Sequence, residues 1–66
     1  MNNNNKINNI MRQECIDLIN KTGKFATLKR LYSSISGSTV EEFVSNASDA
    51  QVEVIIKLCK KELKIN

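Results

Sequence analysis

The chain predicts an all-α fold, a small bundle of three to four short helices behind a disordered, asparagine-rich N-terminal leader. Three observations carry that expectation. There is no proline and there are only two glycines, so little interrupts a helix. Apolar residues recur at spacings of three and four. Two stretches, Ser38-Thr39-Val40-Glu41 and Ser48-Asp49-Ala50-Gln51, match the hydroxyl-x-x-Glu/Gln pattern of a helix-starting capping box.

The leader, residues 1–5 of "MNNNNKINN", is expected to be disordered, because asparagine favours turns and no apolar periodicity begins before Ile7. Residues 6–66 are read as one helical domain. From about Lys6 to Thr22, the residues Ile7, Ile10, Met11, Cys15, Leu18 and Ile19 follow helical spacing, and Gly23 stands where a left-handed C-cap belongs. "KFATLKRLYSSI" predicts a second helix of about three turns through Phe25, Leu28, Leu31, Tyr32 and Ile35, ended by Ser36-Gly37-Ser38. Behind the first capping pattern, Val40, Phe43, Val44 and Ala47 line one face. Behind the second, a long helix runs to about Lys64. Whether these last two are separate or one kinked helix is left open by the sequence.

With 66 residues the margin of burial is thin, and such domains commonly gain stability from disulfides, metals or association. Two cysteines, Cys15 and Cys59, make no secreted framework and read as buried reduced thiols. Histidine is absent, so neither a metal site nor a nucleophile–base pair is expected. The serines fall in turns and caps, and the two glycines stand apart, so no phosphate-cradling loop forms. No enzyme activity, cofactor or small-molecule ligand is expected. The longest apolar run, Val54-Ile55-Ile56, is far short of a membrane span, and a cytoplasmic protein without a membrane partner is expected.

Charge is segregated along the chain. Residues 1–30 carry six basic and two acidic side chains, residues 31–56 four acids and no base, and residues 57–66 four lysines and one glutamate. In the last helix Val52, Ile55, Ile56, Cys59 and Leu63 fall within about 100° and form the core stripe. Lys57, Lys60, Lys61 and Lys64 gather on one flank, while Val54 and Leu58 make a second apolar patch opposite. Ile16 is a similar surplus on the first helix. Neighbouring helices could cover these residues. The sharper reading makes Ile16, Val54 and Leu58 interface apolars with the four lysines as an electrostatic rim.

"ISGSTVEEFV", residues 35–44, resembles the turn and second helix of a helix-turn-helix unit. The resemblance implies Ile35, Val40 and Phe43 at buried positions and Ser36 at the cap. Register places Lys29, Arg30 and Ser33 of the preceding helix inward, a departure from the pattern. Glu41 and Glu42 would face a duplex that carries one negative charge per roughly 1.7 Å, at the helix end that normally touches bases. They suit the N-terminal turn of a helix better. "FATLKRL" resembles the second helix of the small haemolysin-modulator proteins that dock on nucleoid-associated proteins, but Asp49-Ala50-Gln51 stands where those carry Asp-His-Arg.

The sequence thus points first to a small regulatory protein that binds another protein, or a second copy of itself, through a helical surface. A helix-turn-helix-like DNA-binding regulator is the second reading, and a structural or assembly subunit the third.

Overall fold

The structure is a computed structural model that describes the backbone of residues 2–64 and the side chains of residues 9–64. It is all-helical among these residues, with α1 Asn2–Thr22, α2 Phe25–Leu31, α3 Val40–Asn46 and α4 Asp49–Leu63. The helical backbone begins at Asn2, within the expected leader, whose side chains lie outside the described residues.

α1 is the element against which the other three pack. It stops because Gly23 takes φ +66 and donates its N–H to the Ile19 carbonyl at 2.9 Å, closing the helix with the left-handed residue that its missing Cβ permits. Thr22 adds a hydroxyl bond to the same carbonyl at 3.0 Å.

α2 is shorter than the predicted three turns. Tyr32 ends it, and Ile35 N–H bonds back to the Tyr32 carbonyl at 2.9 Å, so the chain turns before it reaches Ile35. Ser33 and Ser34 compete for backbone bonds and favour such a turn. The turn still buries Ile35, at 6% exposure, but leaves Leu31 66% exposed. Leu31, grouped by spacing with the core residues, is therefore not part of the buried face. Ile10 of α1, grouped by spacing with the core residues, is also exposed.

α3 starts one residue later than the Ser38–Glu41 pattern predicts, and three residues later than the Ser36 cap of the helix-turn-helix resemblance. Thr39 is the N-cap, its hydroxyl accepting from Glu42 N–H at 3.1 Å. The Glu42 carboxylate accepts from the Ser38 N–H at 2.8 Å and the Ser38 hydroxyl at 3.2 Å. Those bonds, the backbone one first, hold its pKa below the ordinary carboxylate value. Gly37 makes this start possible: at φ +131, a Cβ on it would lie 2.7 Å from the Phe43 nitrogen.

Between α3 and α4 the chain breaks. Ala47 and Ser48 are both extended, and Ser48 and Gln51 form a complete capping box, with bonds of 3.1 and 2.8 Å. At the end of α3 a donor from α1 adds to the chain's own bonds: Arg12 bonds Val44 O, which also accepts the Ala47 N–H at 3.3 Å, and Ala47 O at 2.8 Å, and reaches Asp49 Oδ1 at 2.8 Å. One guanidinium thus closes α3 and holds the first turn of α4.

The core gathers Cys15, Leu18 and Ile19 from α1, Leu28 from α2, Phe43 and Val44 from α3, and Val52, Ile55, Ile56 and Cys59 from α4, with Ile35 and Ala47 from the connections. Phe25 meets Phe43 edge-on, centroids 5.5 Å apart, the favoured aromatic geometry. Both cysteines are buried and free, as expected. Burial pushes both thiols up, Cys15 to about 12 with the neighbouring Cys59 adding to the rise.

Candidate functional site

The C-terminal ends of α1 and α4 come together beside α2. Lys24, which follows Gly23, reaches Glu62 of α4 at 3.9 Å. α2 packs on α1, and a groove of about 490 Å³ opens between α2 and α4. Its floor is apolar, formed by the buried Leu28 and Cys59, and Leu31 and Leu58 stand exposed at its sides. Lys24, Lys61 and Lys64 line the same groove.

Each feature has a local origin. Leu31 is the last residue of α2 and stands exposed on the side of the helix toward the groove. Leu58 lies about 100° around α4 from Cys59, at the edge of the buried stripe and 41% exposed, and Val54, one turn before it, is 45% exposed. Lys64 caps α4 in the left-handed conformation, φ 60, ψ 40, at the groove end. Lysines here also suit the negative end of the helix dipole. Among the described residues, ion pairs engage Lys24 and Lys60 but neither Lys61 nor Lys64.

The residues singled out from the sequence do not all meet. Leu58, Lys61 and Lys64 share the groove. Val54 and Lys57 are exposed on α4 but outside its lining. Lys60 turns to α1, where it pairs with Glu14 at 3.3 Å. Its charge ties two helices together instead of forming part of a rim. Ile16 is half-buried against the core and lines a smaller recess between α1 and α3 with Arg12, Glu41 and Val44. It does not share a surface groove with Leu58.

Two contributors were missed. Leu31 sits 60° from Leu28 on an ideal wheel, so periodicity assigns it to the core, whereas its exposure depends on how α2 stands against α4. Arg12 reads as a solvated charge on α1, and nothing in its neighbourhood along the chain announces that it reaches two other helices.

The stretch that resembles a helix-turn-helix has a different geometry. Residues 32–39 separate α2 from α3, where that motif has a tight turn. α3 is 7 residues long, and both its first-turn glutamates are exposed. Among the described residues no helix is long and apolar enough to cross a membrane, and no group of three potential metal-ligating side chains occurs.

Comparison of the chain with protein-family models, with curated proteins and with solved structures finds no match in any of the three.

Proposed function

We propose that this chain is a small regulatory protein of the cytoplasm that acts by seating part of another protein on its α2–α4 face. The observation that carries the reading is the pair of leucines Leu31 and Leu58, exposed at the sides of one groove over the apolar floor of Leu28 and Cys59. Large apolar side chains clustered in a concavity are the ordinary mark of an interaction surface in a small soluble domain. Isolated exposed leucines need no such account; two that face one groove do. Val54 extends the surface along α4, and Lys61 and Lys64 border it.

DNA binding is the second reading. The lysines of the α4 end favour it, since phosphate contacts supply most non-specific affinity. Glu41 and Glu42 at the start of α3 oppose it.

The test is site-specific photocrosslinking in cells that express the protein. A photoreactive residue at position 31 or 58 should yield the same protein adduct, and one at Asp17, exposed on α1, should not. The partner identified in this way, once purified, should lose about tenfold or more in affinity for Leu58→Asp, which buries an unpaired charge in a desolvated contact. Crosslinks to DNA, or to no macromolecule, at both groove positions would overturn the reading.

A further inference from the structure

We propose that the occupant of the α2–α4 groove is an acidic amphipathic helix of another protein, its apolar side chains entering between Leu31 and Leu58. Its carboxylates would meet Lys61 and Lys64. The inference rests on the protein-binding reading above and specifies the partner that this face fits.

Charge carries it. Three lysines line the groove against one glutamate, and that glutamate, Glu62, is already engaged with Lys24. The helix dipole accounts for lysines at the end of α4, but not for exposed leucines beside them. An incoming basic or neutral segment would leave Lys61 and Lys64 to be desolvated without compensation, whereas an acidic one is steered in and fixed in register. Among the described residues there is no strand, and therefore no sheet edge to pair with an extended peptide. The groove offers side chains, and helix-in-groove docking uses side chains at i, i+3, i+4 and i+7.

A second copy fits worse. An isologous dimer sets the same patch against itself, bringing lysines near lysines. A head-to-tail contact would need an acidic segment with an apolar side chain to insert. This chain's densest acidic segment, Glu41-Glu42, belongs to α3, whose Phe43 and Val44 are fully buried, and the exposed Val54 has only the single carboxylate of Glu53 beside it in sequence.

The experiment uses the full chain and a display library of amphipathic helical peptides, leucines fixed on one face and flanking positions randomised among Lys, Gln and Glu. Selected peptides should be enriched in glutamate beside the leucines. They should bind less tightly at high salt, weaken about tenfold or more with Leu58→Asp, and weaken by roughly threefold to fivefold with Lys61→Glu. Because Lys61 is exposed, that variant keeps the fold, and circular dichroism verifies it. Enrichment of lysine or of neutral flanks would overturn the acidic partner while leaving the protein-binding reading intact. So would a Leu58-dependent dimer in sedimentation, with no peptide selected. No selection, a monomer, and duplex binding abolished by Lys61→Glu would overturn both.

Discussion

The two ends of this bundle are built on opposite rules. At the α3–α4 junction, short elements are closed tightly: Thr39 and Ser48 cap their helices, and Arg12 spans three helices to satisfy the carbonyls of the chain break. At the α2–α4 end, α2 begins at Lys24 with no side-chain cap, stops after 7 residues, and leaves Leu31 in solvent beside Leu58. A chain with a small core has little stability to spare. Placing the three-helix bonds of Arg12 at one end leaves the other with apolar surface uncovered, which is the arrangement a binding face requires.

The closed end should be the sensitive one. Arg12→Ala is expected to show the largest loss, about 2–3 kcal/mol, because it removes its charge-assisted bonds to the Val44 and Ala47 carbonyls and to Asp49. Chemical denaturation measures the loss. Hydrogen exchange should localise it, with faster exchange across residues 44–51 than across α2. Equal acceleration at both ends would erase the contrast. Gly37→Ala should follow at about 2 kcal/mol, since the new Cβ meets the Phe43 nitrogen at 2.7 Å and φ +131 strains any L side chain. A thermal midpoint equal to that of the native chain would mean that the approach of residue 37 to α3 is looser than described.

A third prediction probes the core that both ends share. Burial raises the Cys15 thiol from 9.0 to about 12, so the folded chain keeps the proton where the unfolded chain releases it. Stability from this group is therefore full below pH 9 and falls as pH rises from 9 to about 12, by roughly 1.4 kcal/mol per unit at most. Other groups titrate in that range, so the measurement is the difference between the native chain and Cys15→Ala. At about one unit above the unfolded thiol value the difference should have shrunk by about 1 kcal/mol. A pH-independent difference would place Cys15 in a wetter site than its complete burial implies.

Much of this fold was legible in the sequence because the signals were local. Gly23 fixed the end of α1, Ser48 and Gln51 the start of α4, and the Val52–Cys59 stripe its buried face. Where two local signals overlapped, the chain had two registers to choose from. Thr39–Glu42 matches a capping box as well as Ser38–Glu41 does, and the close packing of Gly37 on α3 belongs to the realised register. Non-local contacts were illegible. Arg12 acts across more than thirty residues of chain, and Lys60 turns to Glu14 on another helix. Of the candidate site, the exposure of Val54 and Leu58 could be read from one helix wheel. Leu31 could not, because its exposure depends on how α2 stands against α4, a non-local relation.

That last point gives the smallest expected effect and the sharpest check on the comparison. If the groove stands open, Leu31→Ser and Leu58→Ser remove side chains that are 66% and 41% exposed. Only about a third of Leu31 is covered, and at about 25 cal/mol per Å² the change should stay near 1 kcal/mol or below for Leu31. Leu58 should cost somewhat more, because more of it is covered. The two losses should add, since no third residue need move to fill either site. If α2 instead packed closely on α4 and covered Leu31, Leu31→Ser would cost as much as a core truncation, about 2 kcal/mol or more. Measuring both variants by denaturation distinguishes an open groove from a closed one without any partner in the tube. A mild pair of losses leaves the leucines available for binding, whereas a costly Leu31 would mean that the bundle itself holds them.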